Sequence, residues 1–460
     1  MAMSIGELKG KKLGACVSGG LDSKTIAMRL REAGCDVLCF TADLAQPDES
    51  DIRDVARKMA PCGVETVIVD LKRPMAEACF RAITAQAMYD GGYWNSTGLG
   101  RAVTCRGLVA EMQRRGITVL AHGATGRGND QMRFERYTNV FAPRMKVYAP
   151  WRDAEFLKQF PGRRQLAEYL GTRGVIAFPG GKKRYSTDGN LAGFSHEAED
   201  LESLETAMTI VEPTMGVWPA KAPDKAEQVT IRFVKGRAVA LNGNRLTPLQ
   251  MMQAANRVGG KHGLGIKHAL ENRIIGTKSR GVYEATGMEL LGWALRYIYQ
   301  ATLDRRATAL FTQLSRLIAD QIYDGRYYDP VTQAAFAAVE SFAQYASGEV
   351  TVELYKGNIF FVAMRGVKAS LYREADASME ESKGLNPVSS QGFAEIQSVE
   401  ALSMARAGQI RMKNEKLWNY KEYGWGRLFH GMRWRHAEDW RMPLPMNLGT
   451  CVRGWTGMPN

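Results

Sequence analysis

The stretch CVSGGLDSKT, residues 16–25, closes an apolar run and opens a helical pattern. Glycine tolerates positive φ, so Gly19 and Gly20 let the backbone come close to a ligand. The amides of such a turn converge at a helix N-terminus, where the dipole favours an anion. Ser18 and Ser23 add hydroxyl donors, and Asp22 and Ser23 stand where an N-cap is expected. The G-x-x-x-x-G-K-[ST] pattern is missing, so this is not a Walker A loop. The alternative is a glycine turn capped by Asp22 with no ligand. Five polar or glycine positions placed between strand and helix favour phosphate binding. Lys24 reads either as a solvated surface residue or as a partner of the bound anion, since a first-turn lysine otherwise opposes the dipole.

Outward from this loop, the first third alternates strand and helix. Residues 13–19, 36–42, 64–71 and 117–123 are short apolar runs. Helical patterns lie between them at 23–34, 49–60, 73–90 and about 103–115, the first with Ile26, Leu30 and Ala33 at i, i+4 and i+7. This rhythm predicts right-handed crossovers and a parallel sheet, with ligands at the carboxyl ends of its strands. Past about residue 185 the pattern changes. Residues 228–243 and 348–366 read as hairpins around Lys-Gly turns, and 285–326 and 331–347 as helical. The expected fold class is α/β: an N-terminal doubly wound parallel sheet, a second α+β domain and a C-terminal extension. The predicted divisions are 1–180, 181–395 and 396–460, the first boundary falling in the Pro-, Gly- and Lys-rich run 178–189.

The chain has 460 residues, 45% hydrophobic and 24% charged, with a formal net charge of +13. That charge suits anionic ligands but says nothing of fold. No apolar run has the length of a membrane span, and the first residues lack the apolar core of a secretory signal. Seven cysteines without a C-x-x-C pair point to reduced thiols in a cytoplasmic protein, and to no zinc site. Five of the nine tryptophans (418, 425, 434, 440 and 455) crowd the basic stretch from 411 onward. Two uses compete there, a clamp on a neighbouring subunit and stacking on nucleic-acid bases, and the clamp is preferred.

A second glycine-rich loop, AHGATGRGNDQMRFE at 121–135, follows the fourth strand. Its Asn129, Asp130 and Arg133 offer an amide, a carboxylate and a guanidinium fork, a set suited to a zwitterionic amino acid. A glycine turn capped by the Asn-Asp pair is the other reading. No Ser/His/Asp or Cys/His arrangement is evident. His122 and His262, beside ligand loops, read as packed or capping residues.

The loop SGGLDS resembles the pyrophosphate-binding loop of ATP pyrophosphatases, of the adenine nucleotide alpha hydrolase-like fold. Together with 121–135, TADLAQPDE (41–49), LGRAVTC (99–105), YSTDGNL (185–191) and GKHGLGIKHALENRIIGTKSRGVYEA (260–285), it resembles the argininosuccinate synthase family, in its longer bacterial subgroup. The resemblance runs in order from about residue 12 to 395. It implies a carbon–nitrogen ligase in which ATP, with Mg²⁺, adenylates the ureido oxygen of citrulline. The amine of aspartate then displaces AMP to give argininosuccinate. It places Ser18, Gly19, Gly20, Asp22, Ser23, Ala42, Gly123, Asp130 and Asp188 around ATP. It places Thr125, Asn129 and Asp130 on aspartate. Citrulline would meet Tyr93, Asn129, Arg133, Ser186, Ser195, Glu197, Glu271 and Tyr283. Asp22, Asp130 and Arg133 would carry the chemistry. The family also implies a homotetramer with small-molecule substrates, and neither a nucleic-acid nor a membrane partner. The sequence departs from the family pattern at Lys24, Asp43, Ala45 and Gly98. A related ligase joining aspartate to another ureido or carbonyl acceptor is the alternative reading.

Overall fold

The first four apolar runs, joined by one more, pair side by side into a parallel sheet. Its strands are β1 (Lys12–Cys16), β2 (Asp36–Asp43), β3 (Glu65–Asp70), β4 (Val119–His122) and β5 (Lys146–Tyr148), in the order β3-β2-β1-β4-β5. The computed structural model describes residues 3–126, 128–177, 185–378, 380 and 386–409. The segment 178–184 and the tryptophan-rich stretch 411–460 lie outside the described residues. The helices among these strands are α1 (Leu21–Glu32), α2 (Arg53–Met59), α3 (Lys72–Thr84), α4 (Ser96–Arg114), α5 (Asp130–Phe141), α6 (Ala154–Gln159) and α7 (Arg163–Gly171). The order reverses between β1 and β4, which pair directly with Cys16 opposite His122. Their carboxyl ends therefore lie side by side, and a doubly wound sheet opens its ligand crevice at such a point.

Two antiparallel sheets follow. One contains β6 (Ser186–Asn190), β7 (Gly193–Glu197), β11 (Ile266–Asn272) and β12 (Lys278–Glu284), in the order β11-β12-β7-β6. The other joins both predicted hairpins: β8 (Glu227–Val234) with β9 (Arg237–Leu241), and β13 (Gly348–Tyr355) with β14 (Asn358–Arg365). A two-residue strand, β10 (Asn244–Arg245), completes it, and β8 pairs with β13 at its centre. Around them pack α8 (Pro248–Lys261), α9 (Thr286–Thr302), α10 (Arg305–Tyr323) and α11 (Pro330–Ala343). Leu290, Leu291, Leu295 and Ile298 of α9 are fully buried, each contributing about 1.5–3 kcal/mol by leaving water. Contacts divide the chain into Met1–Arg373 and Glu374–Asn460, and the second unit carries a helix over Ser389–Arg406.

Two helical stretches are shorter than periodicity predicts. The run 73–90 ends its helix at Thr84, because Gln86 takes a positive φ of 50° and Gly91 and Gly92 turn the chain. The run 285–326 breaks at Leu303–Asp304, where Asp304 caps α10 by accepting from the amides of Arg306 (2.7 Å) and Ala307 (3.0 Å). Ala45 holds a φ of 56°, a left-handed conformation that costs a residue with a Cβ roughly 1–2 kcal/mol.

Candidate active site

The loop after β1 makes its turn at Gly19, whose φ is +75°. A residue with a Cβ is strained at that angle, and the added atom would meet the Lys58 side chain at 3.1 Å. The N-cap of α1 is Gly20 rather than Asp22 or Ser23, which fall inside the first turn. Ser23 instead ties the loop closed: its Oγ accepts from the Ser18 amide at 3.0 Å and lies 3.3 Å from Ser18 Oγ. The first amides of a helix have no partner within it, so this turn presents donors at the sheet's crevice. Burial raises the Asp22 carboxyl above its ordinary range. Lys24 is buried, and its Nζ donates to the Ile176 carbonyl at 2.9 Å.

The loop after β4 sits beside it, with Gly123 close enough that a Cβ there would lie 3.6 Å from that of Asp22. His122 is packed as expected. Its ring stacks on Phe134 (centroids 4.9 Å apart), Nδ1 accepts from the Ala124 amide at 3.2 Å, and burial pushes its pKa down to about 3. Asp130 opens α5 and accepts from Arg101 Nε at 2.8 Å and from Arg133 Nη1 at 2.9 Å. Burial alone would raise the Asp130 carboxyl, but the two guanidiniums hold it below the usual carboxylate range. Arg133 also donates from Nε and Nη2 to the Tyr323 carbonyl (2.9 and 2.7 Å), so three of its five N–H groups are spent. Asn129 spans two elements: its Nδ2 donates to Tyr323 Oη at 2.7 Å, and its Oδ1 accepts from the Ile274 amide at 2.9 Å.

The remaining groups come from one face of the β11-β12-β7-β6 sheet. Asp188 lies opposite Ser195, Ser195 opposite Tyr283, and Ser186 opposite Glu197. Directly opposed residues share a face and alternate residues return to it, so Glu271 (opposite Ser279) joins the same side. Tyr283 donates to Glu271 Oε2 at 2.9 Å and stacks on Tyr93 with centroids 3.9 Å apart. Tyr93 Oη accepts from the Thr97 amide at 2.9 Å, which fixes that stack to the start of α4. Burial, reinforced by the Glu271 carboxylate, pushes Glu197 up to about 7. Burial also raises Glu271 above its ordinary value.

These surfaces enclose a cavity of about 880 Å³. It is lined by Tyr93, Gly123, Thr125, Asn129, Asp130, Arg133, Ser186, Ser195, Glu197, Glu271 and Tyr283 among the predicted residues. Asp188 reaches it through Arg101 Nη2, 2.9 Å away. Ser18, Gly19, Gly20, Asp22, Ser23 and Ala42 do not line it and lie at the adjoining ends of β1 and β2.

Two family models match this chain. One is the Arginosuccinate synthase N-terminal HUP domain, over residues 13–175. The other is the Arginosuccinate synthase C-terminal domain, over residues 185–404. The chain belongs to the argininosuccinate synthase family. It is thereby a ligase of that type, one associated with arginine biosynthesis, and its first sheet is a HUP domain. Two solved structures show weak likeness. One is a predicted subunit of tRNA methyltransferase from Methanocaldococcus jannaschii: 13% identity, 36% of this chain, 90% of that one, TM-score 0.24. The other is NADH-dependent reductase A1-R′ complexed with NAD: 16% identity, 37% and 77%, TM-score 0.20.

Against the argininosuccinate synthase pattern, Gly98 has a packing reason. A Cβ there would stand 2.8 Å from the Ile322 carbonyl oxygen, so α4 and the end of α10 approach too closely for a side chain. Sequence reasoning missed Arg101, Arg273 and Tyr323, which line or brace the cavity. Arg101 lies within the quoted run 99–105 and Arg273 within 260–285, but neither is singled out there, and Tyr323 lies outside every quoted run. No group of three or more His, Cys, Asp or Glu side chains able to hold a metal ion is found among the described residues. No helix among them is long and apolar enough to cross a membrane.

Proposed function

We propose that this chain joins citrulline to aspartate at the expense of ATP, through citrullyl-AMP, giving argininosuccinate, AMP and pyrophosphate. The observation that carries the reading is the single cavity in which the Thr125–Arg133 loop faces the Ser186, Ser195, Glu197, Glu271 and Tyr283 face. The loop and the sheet face would each hold one amino acid, with Asn129 shared between them, and the phosphate-type loop adjoins both.

The chemistry needs no nucleophilic side chain. The loop Ser18–Ser23 would hold the two outer phosphates, leaving the α-phosphorus to be attacked by the ureido oxygen as its bond to pyrophosphate breaks. A ureido carbon is a poor electrophile, and bonding its oxygen to AMP supplies a leaving group. The donor ammonium then gives up a proton to solvent, and the free amine forms the C–N bond while the C–O bond to AMP breaks. Asp130, held ionised by two guanidiniums, suits the grip of the donor ammonium. Glu197 and Glu271 would accept from the acceptor's α-ammonium group, with the Tyr93–Tyr283 stack as a wall for its aliphatic stem. Arg133 keeps two N–H groups for an acceptor oxygen. Positioning two substrates in this way can supply many kcal/mol of the rate enhancement. Mg²⁺ would come with the triphosphate, which needs at most one or two protein carboxylates, and Asp22 and Asp188 are the ones at hand. When bound it would neutralise charge developing on the phosphates. A cytoplasmic homotetramer goes with this reading.

Identifying the products by mass tests it. Sustained turnover to AMP and pyrophosphate is expected only when ATP, aspartate and citrulline are all present. Formation of ADP would remove the phosphate-loop assignment. Turnover with a different ureido compound in preference to citrulline would transfer the same chemistry to another acceptor.

A further inference from the structure

A line of ion pairs beside the cavity joins Asp188 of β6 through Arg101 and Asp130 to Arg133, which hydrogen-bonds the carbonyl at the end of α10. Arg101 donates through Nε to Asp130 Oδ2 and through Nη2 to Asp188 Oδ2, at 2.8 and 2.9 Å. Asp130 is gripped again by Arg133, which in turn holds the Tyr323 carbonyl. Before any substrate arrives, Arg101 has satisfied two carboxylates on two elements, and Asp130 has satisfied two guanidiniums. The side chains of Arg101, Asp130 and Asp188 nonetheless keep 19%, 24% and 33% of their surface exposed, so a ligand can reach the triad.

We propose that Arg101 is a positioning residue that couples nucleotide binding to amine-donor binding by exchanging partners. The inference rests on the reading above, in which Asp130 faces the donor ammonium and Asp188 faces the nucleotide. A donor ammonium must share Asp130 oxygens that each already accept from a guanidinium, Oδ2 from Arg101 and Oδ1 from Arg133. It gains most once Arg101 withdraws. An arriving anionic nucleotide offers Arg101 phosphate oxygens, and charge-assisted bonds to phosphate match those it leaves. Asp130 then exchanges one cation, the guanidinium, for another, the ammonium. No covalent bond changes: Asp130 keeps a cationic partner, while Asp188 yields its share of the guanidinium to the phosphate. Each ligand stabilises the arrangement that the other requires, so the coupling must be reciprocal. Arg101 would thus delay donor binding until the nucleotide is in place.

Calorimetric titration of the full chain with aspartate, with and without Mg²⁺ and the α,β-methylene analogue of ATP, measures the coupling. In the wild type the analogue is expected to tighten aspartate binding by about fivefold or more, the lower range of allosteric couplings. In Arg101→Gln that ratio should fall to within about twofold of unity, while aspartate alone binds no more weakly than to the wild type. Arg101→Lys, keeping the charge but not the two-way fork, should recover part of the ratio. Asp188→Asn, which removes one arm, should shrink it, and these two variants carry the test if Arg101→Gln does not fold. A purely structural role would weaken both affinities together and leave the ratio intact, and that result overturns the proposal. A wild-type ratio of one also overturns it. A wild type that binds no aspartate under either condition would overturn the donor assignment and this inference with it. Normal wild-type coupling retained in Arg101→Gln would defeat only the role of Arg101.

Discussion

Asp130→Asn is expected to lower kcat/KM for aspartate by about a hundredfold or more, while KM for ATP and citrulline moves less than about threefold. The neutral amide keeps the shape but loses the charge that two guanidiniums hold in place. Removing one partner of a buried, hydrogen-bonded charge pair costs about 2–5 kcal/mol, and each 1.4 kcal/mol is about a factor of ten. Stability should fall too, by about 1.5–3 kcal/mol, because Arg101 and Arg133 then face each other without the anion between them. Steady-state kinetics on protein shown to be folded at the assay temperature checks this. Equal losses for ATP and aspartate would contradict the separation of donor and nucleotide.

Glu197→Gln is expected to remove a pH dependence. Burial, then the Glu271 carboxylate, raises the Glu197 pKa from 4.5 to about 7. At pH 6 the side chain is mostly protonated and accepts an ammonium poorly; at pH 8 it is ionised. The wild-type KM for citrulline should therefore fall as pH rises through about 7. The variant should show a KM about 10–100-fold higher at pH 8, as for a lost charged hydrogen bond, and little pH trend. The stability sign is the reverse. The unfolded chain loses this proton near 4.5 and the folded chain holds it to about 7, so this group costs stability as pH rises through that window. The variant should melt above the wild type at pH 8 and with it at pH 4. A wild-type KM that does not respond to pH between 6 and 8 would contradict the ammonium-binding role.

The first sheet was legible because its strands are continuous apolar runs separated by amphipathic helices. Only β5, three residues long, gave no such run. Both hairpins were legible from their Lys-Gly turns and from the alternating apolar positions of β8 and β13. The β11-β12-β7-β6 sheet was not, for a physical reason tied to its position at the cavity. The strand β6 reads Ser-Thr-Asp-Gly-Asn, with no apolar residue to alternate, because one of its faces lines a polar cavity. Glycine-rich loops announced themselves at both strand ends, and the motif resemblance supplied the acceptor-side residues. Arg101 and Tyr323 carry no spacing signal, since an arginine in a helix and a tyrosine at a helix end are common. Their importance arises only when α4, α5, α10 and β6 meet. Lys24 resisted reading for the opposite reason: lysine is almost never buried, yet here its amine finds the Ile176 carbonyl inside the fold.

In the proposed reaction the acceptor's carbonyl-type oxygen bonds to the α-phosphorus of the nucleotide before the amine arrives. Turnover with citrulline carrying ¹⁸O in its ureido group tests this most directly. The label should appear in AMP, one atom per turnover, with none in pyrophosphate. Label found in pyrophosphate or inorganic phosphate, or released to water with unlabelled AMP, would contradict it.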